Sequence, residues 1–256
     1  MFTLKRYTFL AVATALAAAT TAYAQINSAV IHTHVFNDVP GSVPTAINLY
    51  PASITLGETG MSAPTGFADR DVWQFSNNGS TAYGFGPSSY FFASMNVTLT
   101  ANDTSIDNEA GFLFSTASSG DIQLIVKPNI NGSGTFVGQF GGISFWNSGL
   151  TYTLGQTVNL GLKYFYDTAN SANALQFEAN GIFSPVYDFG PTVGAGAADI
   201  GAGSTLGGYY QIQNDPNNPA NAGQAIFGNI TIVPEPSAIA LAGLGLLPLI
   251  LRRRRS

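Results

Sequence analysis

The chain has no cysteine, only two histidines, and charged residues at 9% of its length, against the roughly 25% usual for a soluble domain. The missing cysteines exclude a disulfide framework and any thiolate metal site, so stability has to come from a packed core. Cations are scarcer still. Of nine Lys and Arg, six sit at the ends (Lys5, Arg6, and Arg252, Arg253, Arg254 and Arg255), leaving Arg70, Lys127 and Lys163 in residues 25–233. Those three face thirteen acids, a net of −10, so the clustered positive charge that phosphate backbones require is missing and no nucleic-acid partner is expected. Hydrophobic residues nevertheless make up 45% and aromatics 12% of the chain, which excludes disorder. The middle should fold with a surface solvated by Ser, Thr, Asn and Gln.

The two ends read as addresses. Lys5 and Arg6 precede an apolar run over residues 7–19, and Ala22-Tyr23-Ala24 supplies small residues at signal-peptidase spacing. Residues 1–24 are therefore expected to be a signal peptide, with Gln25 the first mature residue. At the other end, Val233-Pro234-Glu235-Pro236 precedes a fourteen-residue apolar run, Ala238 to Leu251, and then Arg252 to Arg255. As a helix, the run would be about 21 Å long, and flanking arginines let such a short span cross a thinned bilayer. The arginines belong on the cytoplasmic side by the positive-inside rule, as a stop that leaves the middle outside. Residues before proline are driven to extended backbone, and Pro234 and Pro236 lack amide hydrogens. An exposed peptide just outside the membrane is the expectation.

This order of motif, apolar helix and arginine cluster resembles the PEP-CTERM sorting signal of Gram-negative-type bacteria, over residues 233–256. The resemblance implies recognition of Pro234, Glu235 and Pro236 by an exosortase. It further implies an inner-membrane intermediate held by residues 238–251, then display at the cell surface or release into an extracellular matrix rich in polysaccharide. Signal peptidase and exosortase are the expected processing partners, with extracellular polysaccharide a further one.

Between the ends, residues 25–232 are expected to form one all-β domain, a single antiparallel sandwich. Short β-like runs recur at 29–36, 72–75, 90–100, 111–115, 121–127, 135–140, 143–146, 157–166, 174–179 and 225–233. Val158, Leu160, Leu162, Tyr164 and Tyr166 alternate with polar residues, as do Leu175 and Phe177 before the turn pair Asn180-Gly181. No segment carries a sustained helical period. Glycine-rich residues 190–208 and polar residues 213–223 read as long surface loops. The Gly111–Phe114 strand, residues 157–166 and the hairpin at 175–181 resemble a concanavalin/laminin-G-type jelly roll, which implies fold only.

Few residues point to chemistry. His32-x-His34 would put two imidazoles on one strand face, the beginning of a metal site, although an ordinary strand surface is the simpler reading. Asp103, Asp107 and Glu109, with Asn102 and Asn108, make an acidic stretch whose oxygens suit calcium; no other cofactor is expected. Asp69 and Asp71 should share a face, as a glycosidase pair would, with Arg70 their natural partner. No Gly-x-Ser-x-Gly elbow or nucleotide-binding loop is present. The reading that follows is a non-enzymatic surface or matrix protein, with no catalytic residues. The alternatives are a carbohydrate-binding, lectin-like module and, behind it, a glycoside hydrolase.

Overall fold

The computed structural model describes residues 26–234, apart from 104–105, 129–132, 142, 191 and 194–195. The expected signal peptide with Gln25, Glu235 and Pro236, the apolar run and the arginine cluster lie outside the described residues. Among those described, no helix is long and apolar enough to cross a membrane.

The fold is all-β. Its strands are β1 (Ser28–Asn37), β2 (Val43–Leu49), β3 (Ser53–Thr59), β4 (Ala68–Ser76), β5 (Phe91–Ala101), β6 (Asn108–Thr116), β7 (Gly120–Pro128) and β8 (Ser133–Phe140). They continue with β9 (Ile143–Thr153), β10 (Thr157–Asp167), β11 (Ala172–Ala179), β12 (Ile182–Phe183), β13 (Tyr187–Asp188), β14 (Thr205–Gln213) and β15 (Gly223–Pro234). One sheet of seven strands runs β1-β4-β14-β6-β7-β8-β9. The second runs β12-β11-β10-β5-β15-β3-β2, with β13 beside β11. Neighbouring strands are antiparallel and the two sheets face each other as a jelly-roll sandwich.

Alternation explains the layering. In β5, Phe91, Ala93, Met95, Val97 and Leu99 are fully buried while their neighbours are half-exposed. The same period buries Trp73 and Phe75 from β4, Phe112 and Phe114 from β6, and Phe227 from β15. The rings interlock at edge-on angles: Trp73 lies 5.3 Å from Phe75 and 5.9 Å from Phe227, and Phe91 lies 5.5 Å from Phe114. Each such side chain contributes about 1.5–3 kcal/mol through burial. This core stands in for the disulfides the chain lacks.

Three expectations need correction. Residues 205–208 and 213 are not loop: they belong to β14, paired with β4 on one side and β6 on the other. Glycine is depleted in strands in general, but here it is needed for close approach. A Cβ on Gly207 would sit 1.8 Å from the Trp73 carbonyl oxygen, and one on Gly111 would sit 2.0 Å from that of Leu124. Strands β2 and β3 are also present where no run had been read. Finally, β15 includes Val233 as its run predicts but continues to Pro234, which lies in register with Phe91 of β5 rather than standing free of the sheet. Proline is tolerated there because β3 pairs only with residues 223–228, so the far side of the strand end needs no amide donor.

Candidate functional site

The strand period of β4 sends successive residues to opposite sides. Arg70, Val72 and Gln74 face outward from the seven-stranded sheet, whereas Asp69, Asp71, Trp73 and Phe75 face the other sheet. The outward and inward sets build two different places.

On the outer face, Val72, Leu113, Ile125, Val137 and Tyr209 form a small apolar layer of their own, buried although they lie outside the sandwich core. Polar side chains cover it. The Arg70 guanidinium lies 4.9 Å above the centre of the Tyr209 ring, and its Nε donates to Gln211 Oε1 at 2.8 Å. Tyr209 donates its hydroxyl to Glu109 at 3.0 Å, Gln74 Nε2 donates to Thr205 at 2.6 Å, and Ser115 donates to Asp121 at 2.7 Å. Lys127 pairs with Asp107 at 2.9 Å. Burial raises the carboxyl pKa of Glu109, opposed by Lys127, the Tyr209 hydroxyl and Arg70. Burial and then Glu109 hold the Tyr209 phenol well above its ordinary range.

Above this floor lies a groove of about 590 Å³, bordered by His32, Arg70, Gln74, Asp121 and Gln211. Phe36 and Phe67 rim it with rings 6.5 Å apart at 73°, and they are 43% and 55% exposed. Neither ring is packed into the sandwich core. Two of the three cations of residues 25–233, Arg70 and Lys127, lie on this one sheet face. Arg70 is held on two sides, which orients its remaining N–H donors before any ligand arrives.

The inward set makes a buried polar cluster where the core row of β3 ends. Ile54 and Leu56 are followed on the same face by Glu58, 1% exposed; Asp69 and Asp71 from β4 are fully buried. His34 Nε2 lies 3.1 Å from Glu58 Oε1. The His34 amide donates to Asp71 Oδ1 at 2.8 Å, and the amides of Asp38 and Val39 donate to Asp69 Oδ1 at 3.2 and 3.3 Å. Burial, then the charges of Asp71 and Asp69, push Glu58 up to about 9. Burial also raises Asp71. Burial and this acidic pair hold the Tyr210 phenol well above its ordinary range.

Several sequence-predicted residues are therefore placed differently. His32 and His34 do not share a face. The β1–β4 register shifts between His32 and Phe36, and His34 has φ 53°, so the bulge turns His34 inward and leaves His32 at the groove. Asp69 and Asp71 do share a face, but Arg70 is on the other one, and the pair is sealed between the sheets instead of lining a cleft. The glycosidase reading loses its carboxylates for that reason. Asp103, Asp107 and Glu109 go to separate partners: Asn218 Nδ2 for Asp103, Lys127 for Asp107 and Tyr209 for Glu109. The sequence reading missed Glu58, Gln211 and Tyr209; all three take their partners from other strands, so no local motif betrays them.

No family model matches the chain, and no curated protein matches it. Solved structures do share the fold. An alginate lyase from Pseudomonas aeruginosa aligns with a TM-score of 0.54 at 12% identity, over 72% of this chain and 83% of its own. The alginate lyase from Corynebacterium sp. aligns with a TM-score of 0.54 at 8% identity, over 82% and 95%. At such identities the likeness shows the fold. It corrects one expectation: the sequence reads as a non-enzymatic protein, with a lectin-like module next, whereas these two structures are alginate lyases.

Proposed function

We propose that the chain is a polysaccharide lyase that acts on an acidic, uronate-containing polysaccharide in the groove of the seven-stranded sheet. The observation that carries this reading is Arg70, oriented by Gln211 and Tyr209 on the floor of a groove walled by exposed Phe36 and Phe67. The likeness to alginate lyases supports it.

Elimination from a uronate needs the sugar carboxylate neutralised, so that the neighbouring C–H becomes acidic, and a base to take that proton. The fixed guanidinium of Arg70 suits the first task through paired, charge-assisted hydrogen bonds. Gln211 and Gln74 add amides beside it. His32 is the imidazole at the groove and suits proton abstraction. The C5–H proton leaves to His32, a C4–C5 double bond forms, the C4–O bond breaks, and the released sugar oxygen takes a proton from water. The exposed rings of Phe36 and Phe67 present apolar faces to sugar rings.

The test is to incubate the purified chain with uronate polymers and with neutral polysaccharides. Shortening of the uronate polymer with growth of ultraviolet absorbance from the unsaturated end is expected, and Arg70→Ala should suppress it. Hydrolytic ends without unsaturation, or no shortening of any uronate polymer, would overturn the proposal.

The patterns at the two ends support a location outside the cytoplasm for this activity. The signal-peptide pattern up to Ala24 and the Val233-to-Arg255 sorting pattern support export and exosortase processing in an envelope rich in such polymers.

A further inference from the structure

The buried cluster between the sheets has no part in the groove chemistry, and its composition is unusual for a core. Three acids, Glu58, Asp69 and Asp71, are each at most 1% exposed, and among the described residues no Lys or Arg pairs with them. Burying uncompensated carboxylates is costly, so such groups are paired or bound to a cation. Two of the three are also held in position by main-chain amides. Asp69 Oδ1 takes the amides of Asp38 and Val39, and Asp71 Oδ1 takes that of His34. That leaves Asp69 Oδ2 buried with no hydrogen-bond partner, and Glu58 Oε2 likewise receives no donor from the protein's amides or side-chain N–H groups. A ligand atom each from His34, Glu58 and Asp69 lies within 4.8 Å of the others.

We propose that His34, Glu58 and Asp69, with Asp71 beside them, bind a divalent transition-metal cation of the Zn²⁺ or Mn²⁺ type. One imidazole with carboxylates is a donor set for such ions. Calcium fits poorly, because it takes six to eight oxygens and two of these carboxylates already have one oxygen engaged by main-chain amides. Ligands on a tetrahedral zinc are about 3.4 Å apart, given bonds of about 2.0–2.2 Å, so side-chain rotations closing the cluster by about 1 Å complete the site. A cleft of about 230 Å³ that includes Glu58, Asn102 and Gly223 in its lining offers an entry path. The ion would join β1 and β4 of one sheet to β3 of the other, a cross-link in a protein without cysteine.

The experiment uses the purified chain after chelator treatment. Elemental analysis following re-addition of ZnCl₂ or MnCl₂ and desalting should find one equivalent per chain. Thermal unfolding should shift upward by about 5–10 °C at a hundredfold excess over Kd. CaCl₂ should give no shift, and His32→Asn should keep the full response. Glu58→Gln and Asp69→Asn should each lose both retained metal and shift. Glu58→Gln should also fold without metal at least as well as the parent, since it removes a buried acid, so its loss of binding is not a folding defect. No retained ion, an equal shift with calcium, or an undiminished shift in both variants would each overturn the assignment.

Discussion

Replacing Arg70 separates what the guanidinium does for the fold from what it does for a ligand. In the fold it makes one side-chain hydrogen bond to Gln211 at 2.8 Å and stacks 4.9 Å above Tyr209. A hydrogen bond contributes about 0.5–1.5 kcal/mol and a part-exposed cation–π contact about 0.5–1 kcal/mol, so Arg70→Ala should destabilise by about 1–2.5 kcal/mol. For a domain of this length that lowers the melting temperature by roughly 2–10 °C and leaves the chain folded at 25 °C. Toward a uronate, the loss is that of hydrogen bonds to a charged group, about 1.5–3 kcal/mol, or a fall of about 10- to 150-fold in kcat/KM. Arg70→Lys keeps the charge but loses the fork and the stacking, and should fall between. The assay is initial rates of unsaturated-product formation at several polymer concentrations, with circular dichroism melts run on the same preparations. A folded Arg70→Ala chain with unchanged kcat/KM would refute the role given to this residue. Equal losses on neutral and uronate ligands would refute the charge argument.

Gly207→Ala should destabilise by roughly 1–3 kcal/mol or more, because the new Cβ would lie 1.8 Å from the Trp73 carbonyl and β14 would have to separate from β4; denaturant unfolding measures it. Glu109 has its pKa raised by burial, so in the folded state it binds a proton that the unfolded chain has released. Its contribution to stability is then fully present below the ordinary carboxylate range and is lost as pH rises through the raised value. Glu109→Gln should flatten that part of a stability-versus-pH curve, and an unchanged slope would contradict the shift. In the native host, Glu235→Ala or Pro236→Ala chains should remain full-length in the membrane fraction, and processing identical to the parent would remove the sorting proposal.

The fold was largely legible where alternation alone decides burial. Val158, Leu160, Leu162 and Tyr164 are buried as their spacing requires, while Tyr166, near the strand end, is 47% exposed; Asn180 and Gly181 both adopt positive φ, 47° and 81°, as a tight hairpin turn demands. Alternation failed where an element was chosen for what its neighbours need. β14 looks like loop because Gly207 and Gly208 carry no side chain, yet those positions lie against the Trp73 carbonyl and the Trp73 ring. The sites show the same division. Asp69 and Asp71 share a face as their spacing requires, and the same period sends Arg70 to the other, where it cannot form the local ion pair that adjacency suggests. The separation of His32 from His34 was not readable, since a bulge is a feature of two paired strands. Glu58 stands alone in its strand, and its company arrives from β1 and β4.

The bulge in β1 has a consequence for how this protein can change. The groove and the buried cluster are back to back across a single strand thickness, and both draw on the same short stretches, His32 to His34 and Asp69 to Arg70. Deleting one residue between His32 and Phe36 would reverse the facing of what precedes or follows it, moving an imidazole from one compartment to the other. Insertions and deletions here therefore act on two sites at once, and neither site can drift independently of the other. A change at Gln74 or Asp121 touches the groove alone, but the crossing point of β1 and β4 is a joint constraint, and the length of that segment should vary less than its side chains.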